Sequence, residues 1–535
     1  MKTSLILFLI LSQSILGQVQ QEWVQRYNGS GNNIDRAISI ATDNLGNILV
    51  SGYSVGSGTG SDFATIKYSS SGVELWSQRY NYSTDEPVAL TTDELRNVYV
   101  TGISIGAGYD FVTLKYNSAG LQQWVQRYNG PGNGSDEVHS IFVDIQGNVY
   151  VAGTCLGTNG VGNYDCVTIK YNSTGDLQWV AYYDGVANGI DNASSVVVDS
   201  VGNVYMAGVS EGNGTNRDFI TVKYNPTGIE QWAQRYSGAN NGDDGALSVK
   251  LDDFANLYVL GFSIISGSGT DYALVKYNAL GVQQWVQRYS YSNAADYPTA
   301  MSIDNLNNIC VTGESPGSGT GLDFATVKYD TFGTEQWVQR YNGPAGNDIP
   351  TSIVVDNSGN IYVTGTSLGN GTSSDYTTIK YNSSGVQQWI QRYNGPGNGI
   401  DAANSIALDN SGNIYVTGQS MGIGTNSDFT TIKYSQLVSI VQTSNYIPFN
   451  YSIRQNYPNP FNPVTNINFD VREKGLVKLA VFNSIGQEIE TLVNQQLSPG
   501  SYKVDWNAAS HPSGVYYYKL TAGNFSETKK MILIK

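Results

Sequence analysis

The chain has 535 residues, only 14% of them charged, with 60 glycines, 38 tyrosines and a net charge of −15. Such a profile suits many short strands joined by tight turns, so an all-β protein is the expected class. With lysine and arginine sparse, recognition of a phosphate backbone is excluded and no nucleic-acid partner is expected.

The N-terminal stretch "MKTSLILFLILSQSILG" sets one basic residue, Lys2, before the apolar run Leu5–Leu11 and ends in small and polar residues. The run is too short to span a bilayer and has the form of a secretory signal peptide, residues 1–17, with cleavage near Gly17. No later segment approaches transmembrane length, so an exported protein without a transmembrane segment is expected.

From there the chain repeats itself. Trp23, Trp76, Trp124, Trp179, Trp232, Trp285, Trp337 and Trp389 recur at spacings of 53, 48, 55, 53, 53, 52 and 52. Each unit holds four β-type runs, seen in the seventh as "IPTSIVVDN", "GNIYVTGTS", "SDYTTIKYN" and "GVQQWIQRY", which we label strands a to d. Short Asn/Ser/Gly links join a to b and c to d, as in tight hairpins. A four-stranded unit of this size cannot bury both of its faces alone, whereas radial stacking can. An eight-bladed β-propeller over residues 18–434 is therefore expected, with blades at about 35–80, 85–128, 136–183, 191–236, 244–289, 296–341, 348–393, and 401–434 plus 19–27. A solenoid is disfavoured because its end units would have to be atypical caps.

The last blade needs both ends of the repeat region. Its C-terminal part, 401–434, supplies strands a, b and c, while "QVQQEWVQRYN" at the start is a strand d without companions. If Asn382–Gly385 is the c to d turn, Tyr381 pairs with Val386 and Asp375 lies opposite Arg392. The same register pairs Asp62 with Arg79, Asp110 with Arg127, Asp218 with Arg235, Asp271 with Arg288, Asp323 with Arg340 and, across the closure, Asp428 with Arg26. Asp165 alone faces Tyr182 instead.

The segments "DNLGNILVSG", "DIQGNVYVAG" and "DNSGNIYVTG" resemble the bacterial β-propeller repeat called SBBP, over residues 19–434. The Gly-x-x-x-Trp spacing from Gly72–Trp76 to Gly385–Trp389 is also similar to the tryptophan-docking repeat of eight-bladed quinoprotein propellers. Both resemblances imply a ring. A quinone site is not implied, since the adjacent cysteine pair typical of those dehydrogenases is missing, and no cofactor is expected.

The d to a and b to c links, such as "NGPGNGID" and "SLGNGTSSD", are long and share one rim, which becomes the expected binding surface. Only two histidines exist, His139 and His511, which leaves too few for most histidine metal clusters or a Ser/His/Asp relay. Aspartates open strand c in all eight units and stand at or near the start of strand a. A group that recurs in every blade is expected to be structural rather than catalytic, and the turn "DNSGN" lacks the ligand pattern of a calcium loop, so no metal ligand is expected. Cys155 and Cys166 flank one loop and are the candidate disulfide, while Cys310 fills a slot that holds Tyr in sibling units.

After residue 434 the repeat stops. A linker at 435–452 is expected, then a domain at 453–535 with strands near 464–471, 477–483, 487–493, 501–507, 514–521 and 524–534, the pattern of an Ig-like sandwich. Its motif "NYPNPFNP", from Asn456 through Tyr457, Pro458, Asn459, Pro460, Phe461 and Asn462 to Pro463, is followed by "NSIGQEI", "SGVYYYKL" and "KKMILIK". In this order the motifs closely resemble the C-terminal sorting domain of type IX secretion cargo. That resemblance implies the secretion machinery as partner, and release or attachment at the outer cell surface. The expected product is a secreted or surface-bound monomer that binds a glycan or protein ligand. The alternative is a polysaccharide hydrolase or lyase with carboxylates in the propeller funnel.

Overall fold

The computed structural model describes residues 19–535 apart from 57–59, 107, 158–161, 215, 239–241, 266–268, 293, 320, 437–439, 445 and 509–510. The leader expected at residues 1–17 lies outside the described residues. Every regular element among the described residues is a β-strand. They form two compact units, one holding Gln21–Tyr434 and the other Ser435–Lys535 together with the described residues up to Gln20.

In the first unit the seventh sheet shows the plan. Ala345–Val355 is strand a, Ile361–Leu368 b, Ser374–Tyr381 c and Gln387–Tyr393 d, hydrogen-bonded in that order. Strand b is buried on both faces, which is why it reads as an unbroken run: Ile361, Tyr362 and Val363 are each fully buried. Strand d keeps one face in solvent. Six further sheets repeat the plan. In the last one Asp401–Leu408, Ile414–Met421 and Ser427–Gln436 are completed by Val19–Tyr27 as strand d.

Strand a of each sheet packs on strand a of the next, and Asp401–Leu408 packs in turn on Asp35–Thr42 of the first. Thr42 donates to the Leu408 carbonyl at 2.8 Å and Asn404 to the Ala37 carbonyl at 2.6 Å across that junction. Apolar layers fill the space between sheets. One of them joins Tyr205, Ala207 and Phe219 of the fourth sheet to Val249, Val259 and Val275 of the fifth.

The c to d register differs from the expected one by two residues. Thr377, not Asp375, faces Arg392, and Tyr381 faces Gln387. Gly385 N–H donates to the Asn382 carbonyl at 2.9 Å and Gly385 has φ of +85°, so the turn is a three-residue loop with a glycine bulge. A second bulge between Lys380 and Tyr381 adds the other residue. A shift of two preserves the face each side chain points to.

The tryptophans dock each sheet on its successor. Trp337 Nε1–H donates to the Ser383 carbonyl of the next c to d turn at 3.2 Å, and Gly385 sits so close to its indole that a Cβ there would lie 2.7 Å from Cδ2. Trp23, Trp76, Trp124, Trp179 and Trp285 donate to the corresponding carbonyls at 3.1–3.3 Å. Trp232 Nε1 has no partner. Only Trp124 and Trp389 are buried, at 9% and 7% exposure; the others lie half-buried along the outer edge.

Cys155 and Cys166 are free, which corrects the candidate disulfide. Cys166 pairs with Thr154 across the b to c ladder, so Cys155, one residue on, points to the opposite face. The two thiols sit in separate apolar layers.

The second unit contains two four-stranded sheets around Trp506, Phe461, Tyr518 and Leu520. Its strands include Val464–Val471, Gly475–Phe482, Glu488–Leu497, Gly500–Asn507, Gly514–Ala522 and Phe525–Leu533. The segment expected as a linker holds a strand as well, Ile440–Ser444, paired with Gly500–Asn507.

Candidate functional site

The long-loop rim is built on a repeated polar lock. In the seventh sheet Arg392 on strand d donates to Asp375 of strand c at 2.9 Å, to the Ser367 hydroxyl of strand b at 2.5 Å and to the Tyr341 hydroxyl of the preceding sheet at 3.1 Å. One guanidinium thus ties three strands and two sheets together. Asp62–Arg79, Asp110–Arg127, Asp218–Arg235 and Asp323–Arg340 repeat the pair at 2.5–3.0 Å. Across the closure Arg26 lies 2.9 Å from Asp428 and donates to Ser420 at 2.7 Å. The ion pairs form despite the two-residue shift, because arginine reaches its diagonal neighbour on the same face. In the fifth sheet Arg288 donates to the Tyr236 hydroxyl.

The aspartates near the start of strand a hold the loops. Gly29, Gly130, Gly185, Gly238, Gly343 and Gly395 each donate a backbone N–H to Asp35, Asp136, Asp191, Asp244, Asp348 or Asp401, respectively. All six carboxylates are fully buried, and burial raises their pKa above the ordinary value of 3.8.

On the opposite rim a third aspartate caps the a to b turn. In six sheets it accepts from a strand b tyrosine at 2.8–3.2 Å, as Asp356 does from Tyr362. Where Leu49 and Cys310 replace that tyrosine, a lysine enters instead: Lys67 lies 2.8 Å from Asp43 and Lys328 2.9 Å from Asp304. Cys310 is fully buried filler in this slot. A cleft of about 450 Å³ on this rim is lined by Asp43, Asp93 and Asp144, all engaged in these turns. A second cleft, of about 380 Å³ between strands a of the third to fifth sheets, is lined by Ser140, Phe142, Val196 and Lys250 among others and by no carboxylate.

The third sheet breaks the lock. Tyr182 stands where Arg is found elsewhere, and its hydroxyl bonds to that of Tyr128 instead of reaching Asp165. Asp184 and Asp191 join Asp165 there, and burial together with their charges pushes Asp165 up to about 6. The sequence marks Asp165 as lacking its arginine, whereas Asp184 went unnoticed; the signal was its replacement of the Asn or Ser that follows strand d in every sibling.

In the second unit the motif Asn456–Pro463 is held at both ends. Asn456 is buried; its side-chain amide donates to the Thr465 hydroxyl at 2.9 Å and its backbone N–H donates to the Tyr518 hydroxyl oxygen at 2.8 Å. Phe461 packs on Trp506 with ring centroids 5.5 Å apart, and its N–H donates to the Ile532 carbonyl at 3.0 Å. Between these anchors Tyr457, Pro458, Asn459 and Pro460 are exposed.

Among solved structures the chain is similar to PorZ, described as an essential bacterial surface component of the type IX secretion system of Porphyromonas gingivalis. The identity is 14%, covering 95% of this chain and 75% of that one at a TM-score of 0.30. A protein of unknown function from Dyadobacter fermentans matches at 8% identity, over 78% of this chain and 99% of that one, at a TM-score of 0.38. A family 25 polysaccharide lyase, an ulvan lyase, matches at 9%, over 76% and 95%, at 0.39. No curated protein sequence matches significantly. The family model of the beta-propeller repeat matches residues 123–160, 178–214, 336–371 and 388–424, and that of the secretion system C-terminal sorting domain matches 455–535. The chain thus carries β-propeller repeats within residues 123–424 and a secretion system C-terminal sorting domain at 455–535.

Proposed function

We propose that this chain is an exported, non-catalytic propeller of eight blades, closed by its own N-terminal strand, that binds a glycan or protein ligand with its long-loop rim. On this reading the leader takes it to the periplasm. The C-terminal unit, an Ig-like sandwich, is then the type IX signal that carries it across the outer membrane to the surface or the medium. The observation that carries the proposal is the commitment of the recurring carboxylates to structure. Seven units present the same strand c aspartate and strand d arginine, and the loop-holding aspartates are buried against backbone N–H groups. A rigid rim bearing variable loops supports binding rather than turnover.

A glycan and protein binding screen on the purified propeller tests this, with replacement of the loop at 394–400 by a short glycine-serine link as control. Specific binding that the replacement weakens is the expected result. Release of reducing ends or of unsaturated sugar from a polysaccharide would refute the non-catalytic assignment. For export, a reporter carrying the leader and residues 435–535 is expected outside the cells of a type IX-competent host, and its intact retention in the periplasm would refute the role of the C-terminal unit.

A further inference from the structure

The third sheet differs from its siblings at three positions that meet in space. Residue 182 is Tyr where the other seven units have Arg, residue 155 is Cys where they have Ser, and residue 184 is Asp where they have Asn or Ser. The changes remove a guanidinium and a hydroxyl and add a carboxylate. Asp165 at the start of strand c, Asp184 in the d to a link and Asp191 opening the fourth sheet each offer an oxygen, all within 4.8 Å of one another. Asp165 is only 9% exposed, and its Oδ1 has no hydrogen-bond partner. Asp191 is fully buried; Gly185 N–H donates to its Oδ2 at 2.8 Å, and its Oδ1 is also without a partner. The arginine nearest to Asp191, Arg235, is committed to Asp218 at 2.8 Å.

Asp165 lacks the arginine that pairs with its counterpart in sibling sheets, and a buried carboxylate left without that partner beside two further carboxylates is costly. We propose that Asp165, Asp184 and Asp191 bind a divalent cation, calcium, which takes the place of the missing arginine and staples the third sheet to the fourth. An all-carboxylate donor set selects a hard ion. Three carboxylate oxygens within 4.8 Å of one another can be reached by one ion; calcium accepts six to eight oxygens in flexible geometry, whereas magnesium demands a near-ideal octahedron and gives up its waters reluctantly, so a site assembled from two sheets and a link favours calcium. Water and loop carbonyls would complete the coordination shell. The proposal concerns the lock between two sheets and stands whether or not the rim binds a ligand.

The test uses the full chain without its leader. Calcium and magnesium are titrated by calorimetry, terbium luminescence sensitised by Tyr182 and Tyr183 is followed, and thermal midpoints are compared in calcium and in EGTA. One calcium site is expected, with a Kd of about 0.1–1 mM, the range of extracellular modules, and a higher midpoint in calcium than in EGTA. Asp184→Asn restores the sibling residue at an exposed position and is expected to weaken calcium at least about tenfold, as loss of one of three charged ligands should. Tyr182→Arg restores the sibling guanidinium and is expected to abolish the calcium response while raising the midpoint in EGTA. Because both variants move toward the sibling sequence, both should fold. Absence of calcium binding up to about 10 mM, or binding unchanged in both variants, would overturn the site. Magnesium binding as tightly as calcium would overturn the choice of ion.

Discussion

The glycine of the c to d turn lets the docking between sheets be weighed. Gly385 has φ of +85°, and a Cβ built on it would lie 2.7 Å from Trp337 Cδ2 and 2.8 Å from Cγ. Gly412, in an a to b turn, has φ of +77° and nothing within 4 Å of such a Cβ. Gly412→Ala therefore carries only the left-handed backbone penalty, about 1–2 kcal/mol. Gly385→Ala carries the same penalty plus a clash with a rigid indole that its hydrogen bond to Ser383 holds in place, and overpacking of this kind costs about 1–3 kcal/mol more. The expected total is about 2–5 kcal/mol. Trp337→Ala removes the obstacle, so in that background Gly385→Ala should cost no more than Gly412→Ala. Urea unfolding followed by circular dichroism measures all four variants, provided the slopes with denaturant agree. If Gly385→Ala is no worse than Gly412→Ala, or if its excess survives the loss of Trp337, the glycine–indole contact does not set the docking.

Deleting residues 18–28 removes Trp23, Arg26 and the whole of the closing strand, and is expected to lower the thermal midpoint far more than an equal trim at the C-terminal end of the chain; equal midpoints would refute the closure. Arg26→Met alone should cost about 1–3 kcal/mol by equilibrium unfolding, because it strands Asp428, which is 4% exposed. Trp232→Ala should cost about 2–3 kcal/mol, below the usual range for a fully buried tryptophan, since the ring is half-buried and its N–H gives up no hydrogen bond. Asp35, Asp136, Asp244, Asp348 and Asp401 have pKa values raised by burial, so as pH falls from neutral the native state takes up their protons before the unfolded chain does. Their contribution to stability therefore rises on acidification until the ordinary value of 3.8 is reached. The thermal midpoint is expected to be higher near pH 5 than near pH 7.5, and Asp348→Asn should flatten the rise; a midpoint that falls over this interval would refute the assignment.

The tryptophan spacing made the repeated sheets legible, because one large side chain per unit marks the same edge each time. The orphan strand at 19–27 was legible too, since a strand d without a, b or c has one place to go. The register was not, because neither the glycine bulge at 385 nor the bulge at Lys380 changes the residue pattern; only the parity survived, and with it the ion pairs. The cysteine pair failed on the same parity, an offset of one residue that a loop-flanking position does not reveal. Ile440–Ser444 is short and mixed in polarity, so nothing in it announced a strand that a neighbouring sheet recruits. Asp184 looked like an ordinary loop acid, and its meaning depends on two aspartates from different sheets arriving beside it.

A strand donated from residues 19–27 to a sheet that ends at residue 436 makes the final sheet a test of completeness. A product truncated before residue 427 has no strand for Val19–Tyr27 to join, and one clipped at the front leaves Ser427–Gln436 as an open edge ready to recruit another chain. Damage at either end of the repeat region is thereby converted into a sticky, protease-accessible sheet edge at a single place. Completion of the last sheet thus serves as an inspection of the repeat region, which only chains intact from residue 19 to residue 436 pass.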